Sequence, residues 1–262
     1  MQDQRSDNSI QDVIGESPAL TQMLRLAMKA ARSDGPLLIL GERGSGKDLI
    51  ARAIHRTSVR RNESFLKVNC AMAGEGMLER EIFGHANETG GKSQEMGQLE
   101  LANKGILYLA EISHIPLDAQ AKLLRLLERR EFESLGSSHS TRVNVRLIAS
   151  TKYDLAERVA EDTFREDLYD QLNVFPIQVP PLRERRDDIP LLARYFMQKF
   201  SRRINKQIET IPAETMSFLM NFDWPGNVRQ LENLIQVSVV LTEGSELVVP
   251  LGGLQSPEAE TL

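Results

Sequence analysis

The chain has 262 residues, 41% hydrophobic and 26% charged, enough apolar content for one large or two modest domains, which excludes a wholly disordered chain. A net charge of −5 excludes a global basic field toward nucleic acid or an anionic membrane. Cys70 is the only cysteine, which excludes an intrachain disulfide framework and a cysteine zinc site and reads as a buried thiol in a reducing compartment.

Residues 1–9 are polar and read as a tail rather than a signal, and no apolar run reaches membrane-spanning length, so a cytoplasmic location without a membrane partner is expected. "SPALTQMLRLAMKAARS" has helical apolar spacing behind a Ser17 cap. "PLLIL" then reads as a buried strand, "GERGSGKDLIARAIHR" as a glycine turn entering a helix, and "FLKVN", "ILYL", "NVRLIAS" and "FPIQV" as four more strands. The spacing of "DAQAKLLRLLERREF" predicts a core-facing helix among them. Strands alternating with helices imply a parallel sheet covered on both faces. Pro180 and Pro181 break this rhythm, and "DDIPLLARYFMQKFSRRIN", "PAETMSFLMNF" and "PGNVRQLENLIQVSVVLT" read as helices of a second, smaller domain before a polar tail.

The stretch Gly41, Glu42, Arg43, Gly44, Ser45, Gly46, Lys47 satisfies G-x-x-x-x-G-K between a predicted strand and a predicted helix. Glycines let backbone N–H groups converge on phosphate oxygens, the helix N-terminus adds positive potential, and Lys47 reaches the terminal phosphates. Asp48 stands where Ser or Thr commonly offers magnesium a hydroxyl. His55, His85, His114 and His139 share no metal-ligand spacing, so no residue is assigned to a protein-held metal.

With "GERGSGKDLIARAIH", "FLKVNC", "EIFGH", "LYLAEI", "LLRLLERREFESLGS", "VRLIAST", "FREDLYDQLNVFPIQVPPLRER" and "WPGNVRQLEN" in this order, the chain resembles the AAA+ domain of sigma-54-dependent transcriptional activators from about Ile10 to Leu247. The resemblance implies an α/β P-loop NTPase domain over residues 10–180, a parallel sheet flanked by helices, then an α-helical lid over 181–248 and a polar tail or linker over 249–262. It also implies ATP or ADP as ligand, a homo-oligomeric ring or assembly with homologous AAA+ subunits, and RNA polymerase holoenzyme as partner. The helices after Pro181 resemble the lid rather than a helix-turn-helix, so no direct DNA binding by this segment is expected. By the same resemblance Lys47 is the phosphate lysine, Glu111 polarises the attacking water, and Asn69 orients that glutamate. Arg165 is the finger offered to a neighbour's nucleotide, Arg229 the lid arginine that senses phosphate, and Ile14 with Gly15 lines the adenine pocket.

Four positions depart from the family pattern. Ala110 replaces the aspartate that holds magnesium through its waters, and a methyl accepts no hydrogen bond, so magnesium is expected to be weakly held. Gln171 replaces a second trans-acting arginine, and Lys152 replaces the neutral residue that senses the terminal phosphate, where its ammonium is expected to supply part of the missing positive charge. The eleven residues between His85 and Gly97, "ANETGGKSQEM", lack the GAFTGA element that contacts sigma-54. Together they give the expectation of nucleotide binding with strongly reduced hydrolysis and impaired sigma-54 contact, the nucleotide controlling oligomerisation. The alternatives are a working Mg-ATP motor with Asp48 and Glu111 as its acidic groups, and an inert scaffold that assembles with a homologous ATPase.

Overall fold

The computed structural model describes residues 13–72, 74–85, 95–137 and 139–250. They fall into two compact units. The first holds Thr21–Glu42 and Gly46–Val179; the second holds Ile14–Leu20, Arg43–Ser45 and the chain from Pro180 onward.

Among the described residues seven strands form in the first unit: β1 (Leu37–Leu40), β2 (Phe65–Asn69), β3 (Ile106–Ala110), β4 (Glu131–Glu133), β5 (Ser140–Arg142), β6 (Arg146–Thr151) and β7 (Pro176–Gln178). Five of them make one parallel sheet in the order β2-β3-β6-β1-β7. Every residue of β3 and β6 is buried, as expected of apolar runs in a sheet covered on both faces. Leu107, Leu109, Leu147 and Ala149 share a core with Leu123 and Leu126 of the helix Leu117–Arg129. That helix buries Ala119, Gln120, Leu123 and Leu126, a three-to-four spacing that makes one apolar face.

The helix is shorter than its sequence suggests. It stops at Arg129, Arg130 turns left-handed at φ 57°, and Glu131–Glu133 leaves as β4, antiparallel to β5. The period changes from helical to two: Phe132 is buried while Glu131 and Glu133 on either side are only partly covered. The unit also holds helices at Glu75–Phe83, Leu155–Ala160 and Glu166–Leu172, which the apolar pattern leaves unmarked.

The N-terminal ends of the strands are tied by two arginines. Arg60 donates from Nε and Nη2 to both carboxylate oxygens of Asp34 at 2.6 Å, and from Nη1 to the carbonyls of Lys104, Gly105 and Asn144 at 2.7–3.0 Å. Arg146 donates to the carbonyls of Ala30 and Gly35. Five donors in a rigid fork suit several carbonyls at once, which a lysine does not. The strand ends carrying the phosphate loop lie at the opposite edge.

The second unit is helical: Ile189–Arg203, Ala213–Asn221 and Asn227–Leu241 pack around Phe196, Leu219, Trp224, Leu231 and Ile235. Trp224 is fully buried, donates Nε1–H to Leu219 O at 2.8 Å and meets the edge of Phe222, so it fastens the turn between the last two helices. Asp188 accepts the N–H groups of Glu16 and Ser17 and the Ser17 hydroxyl. Ser17 Oγ in turn takes the Leu20 N–H at 3.4 Å, the capping contact its position implies. Among the described residues no helix is long and apolar enough to cross a membrane.

Candidate functional site

In the first unit β1 runs into Gly41 and Glu42 at the start of the phosphate loop, and Gly46 at its end opens the 11-residue helix Lys47–Thr57. Gly46 sits at φ 109° with open space where a Cβ would go, so glycine is needed there for backbone conformation rather than room. The helix start presents unpaired N–H groups and the positive end of its dipole, the surroundings a phosphate requires.

Lys47 is almost buried. Its ammonium donates to Gly41 O at 2.7 Å and Glu42 O at 3.2 Å and pairs with Glu111 Oε1 at 3.2 Å. Glu111 follows β3 in a left-handed conformation, φ 57°, uncommon for a side-chain-bearing residue and a mark of constraint by its surroundings. Its other oxygen accepts the Lys152 N–H at 3.3 Å. The backbone of Lys152, not its ammonium, therefore meets Glu111. The ammonium lies 4.6 Å from the centre of the Tyr153 ring, which Arg158 also covers at 4.5 Å.

One sheet face carries the rest. Asn69, Ala110 and Ser150 are lateral partners at the ends of β2, β3 and β6, with Lys67 and Tyr108 one step back. Ala110 is 6% exposed, and its methyl stands between an amide side chain and a hydroxyl. Asn69 Oδ1 accepts the Ala71 N–H at 3.2 Å, so Glu111 is oriented by Lys47 and the Lys152 N–H. The Asp48 carboxylate takes the Lys67 ammonium on one oxygen and the Tyr108 hydroxyl, at 2.7 Å, on the other, and Tyr108 Oη lies 2.7 Å from Ser150 Oγ. Burial alone would raise the Asp48 pKa, but the bonds from Lys67 and Tyr108 outweigh it and hold it below the usual value. Burial, followed by the Asp48 charge, pushes Tyr108 up. Sequence reasoning missed Lys67, Tyr108 and Ser150; the signal was the Tyr108 hydroxyl inside the otherwise apolar run "ILYLA" and the hydroxyls of Ser150 and Thr151 closing "RLIAST".

Cys70, next to Asn69, is buried with its thiol pushed up to about 12 by burial, then by the Glu81 charge, which suits packing rather than nucleophilic chemistry. Arg165 is exposed and forks onto Asp167 at 2.6 and 3.0 Å, while its N–H donates to Gln120 Oε1. Gln171 is exposed on the helix Glu166–Leu172. Most of the segment between His85 and Gly97, residues 86–94, lies outside the described residues.

In the second unit Gly44 has φ 77°, and a Cβ there would sit 2.3 Å from Gly226 O, so only glycine fits. The Gly44 carbonyl accepts the Arg229 N–H at 3.4 Å, the Arg229 side chain being exposed. Ile14 packs against the helical core, and Gly15, φ 141°, abuts the Asp188 carboxyl.

A parallel sheet with a phosphate loop, followed by a small helical unit, defines an α/β AAA+ P-loop NTPase with an α-helical lid. The family model of the sigma-54 interaction domain matches residues 13–178 and that of the AAA+ ATPase lid domain residues 183–250; the chain belongs to the sigma-54 interaction domain family. It is 49% identical over 257 residues to the formate hydrogenlyase transcriptional activator FhlA of Escherichia coli K12, covering 97% of this chain and 37% of that one. It is 47% identical over 234 residues to the regulatory protein AtoC of the same organism, covering 88% and 51%. The crystal structure of NtrX from Brucella abortus in complex with ADP matches with a TM-score of 0.86 at 38% identity, over 92% of this chain and 55% of that one. The NtrX complex with ATP gives the same TM-score and identity. The chain thus spans between about a third and just over half the length of these relatives.

Proposed function

We propose that the chain is the nucleotide-binding module of a sigma-54-activator-like transcriptional regulator, holding ATP or ADP around Lys47 with strongly reduced hydrolysis and impaired sigma-54 contact. The observation that carries the reading is the surroundings of Ala110. A methyl stands where the family pattern has the magnesium carboxylate, and neither nearby carboxylate replaces it: Asp48 is engaged by Lys67 and Tyr108, and Glu111 by Lys47 and the Lys152 N–H. A cation held by oxygens needs acceptors free to turn toward it. These residues fit phosphate and do not fit a tightly held magnesium. A bound nucleotide supplies the negative charge; Lys47, the loop N–H groups and the helix start bind and orient it.

Binding of ATP and ADP by the NtrX relative supports the nucleotide reading, and Lys47 with the loop residues Gly41–Gly46 is its core. Glu111, Asn69 and Arg165 keep the residue types of the catalytic positions, with Glu111 neutralised by Lys47 in the free protein. The exposed Arg165 exchanges its fork onto Asp167 for the nucleotide of a neighbouring subunit in a ring or mixed assembly, whose state the nucleotide sets. ADP affinity is expected to change less than about threefold when magnesium is chelated, with the sedimentation coefficient rising on ADP addition in both conditions. A collapse of affinity in chelator, or a size indifferent to nucleotide, contradicts the corresponding half of the reading.

A further inference from the structure

The crest of the phosphate loop, Arg43–Ser45, groups with the helical unit, and there its three consecutive carbonyls each meet a different donor. Asn227 Nδ2 donates to Arg43 O at 3.1 Å, the Arg229 N–H to Gly44 O at 3.4 Å, and Arg185 Nη2 to Ser45 O at 2.8 Å. In a planar trans peptide the C=O and the following N–H point in opposite directions. Holding the carbonyls of residues 43, 44 and 45 therefore turns the N–H groups of Gly44, Ser45 and Gly46 away from those donors, leaving them for a phosphate to take.

The two side-chain donors are built into place. Asn227 is fully buried, and its Oδ1 accepts the Leu182 N–H at 2.7 Å, which fixes the amide so that its NH₂ end faces the loop. Its φ of 53° is a left-handed conformation that asparagine tolerates better than most residues, and its N–H bonds Trp224 O at 2.7 Å. Arg185 is 4% exposed, so a guanidinium has been taken out of water beside the Ser45 carbonyl. Burying a charge is costly unless it makes strong hydrogen bonds, and Arg185 Nε and Ser45 Oγ are buried atoms without a partner among the described residues. The Asp188 charge offsets part of that cost, and the guanidinium spends its Nη2 hydrogen bond on the loop, which points to a positional role.

We propose that Asn227 and Arg185 are positioning residues: by gripping the loop carbonyls from behind they aim its N–H groups at the nucleotide phosphates. This inference rests on the nucleotide-binding reading above and adds residues that the loop motif does not contain.

The test compares the unchanged protein with Asn227→Asp, which keeps the acceptor for Leu182 and the tolerance for the left-handed backbone but loses the donor to Arg43. Backbone ¹⁵N relaxation of the ligand-free protein is expected to give order parameters near about 0.85 for Gly44, Ser45 and Gly46, falling below about 0.6 in the variant. ADP affinity is expected to fall about tenfold, while Arg185→Lys, which still offers a donor to Ser45, loses less. Should Asn227→Asp fail to fold, Asn227→Gly, which accepts the same φ, carries the same measurement. Loop amides that are already mobile in the unchanged protein, or equally ordered in the variant, overturn the proposal, as does unchanged ADP affinity with a loosened loop. Absence of ADP binding by the unchanged protein removes the nucleotide reading instead, and the relaxation data still decide whether the carbonyl grip exists.

Discussion

Lys47 and Glu111 neutralise each other across 3.2 Å in the free protein, so an incoming phosphate competes with a carboxylate for the ammonium. Glu111→Gln removes that competitor while keeping the acceptor for the Lys152 N–H, and isothermal titration is expected to show ADP binding several-fold tighter; weaker binding would place Glu111 on the side of the ligand. Asp48 offers a second residue-scale check. Its folded pKa is depressed, so the stability it contributes is present above the unfolded carboxylate value and is lost as pH falls through the lower folded one. Urea titrations are expected to show the difference between the unchanged protein and Asp48→Asn shrinking below about pH 4. Asp34 and Asp167 are depressed as well, which is why the comparison must be with the single variant. The phosphate lysine and its glycines were legible in the sequence because the motif is local. The Tyr108–Asp48–Lys67 network was not, because its members meet only once two strands and a helix are in register.

At the scale of elements, the strands were legible because buried parallel strands announce themselves as short apolar runs. β4 was hidden because "ERREFE" continues a helical spacing until Arg130 turns left-handed, and pairing with Ser140–Arg142 further along the chain decides its fate. The helices Leu155–Ala160 and Glu166–Leu172 were hidden because two turns carry too few positions for a period to emerge. The arginine ties at the strand starts were equally invisible, since Arg60 reads as one of a basic run, "VRRNE". Arg60→Lys keeps the charge but cannot reproduce the fork onto Asp34 or reach three carbonyls together. Denaturant unfolding is expected to show a loss of about 2–4 kcal/mol, the range for breaking a buried hydrogen-bonded pair discounted for the partly exposed Asp34. A loss under about 0.5 kcal/mol would mean that the ties are ornamental surface contacts.

At the scale of the whole molecule, a phosphate loop and a family fold coexist with Ala110 at the end of β3, where the proposed reading places a missing magnesium carboxylate, and function follows the site rather than the fold. Order of motifs along the chain was enough to place the family; what the residues at those positions do depended on which neighbours occupy their hydrogen bonds. The most direct measurement is steady-state phosphate release from ATP with saturating magnesium at high protein concentration, comparing the chain with Ala110→Asp. The account predicts near silence from the chain and turnover restored in the variant. Turnover by the unchanged chain at about 1 s⁻¹ or more, the range of working enzymes, would contradict it.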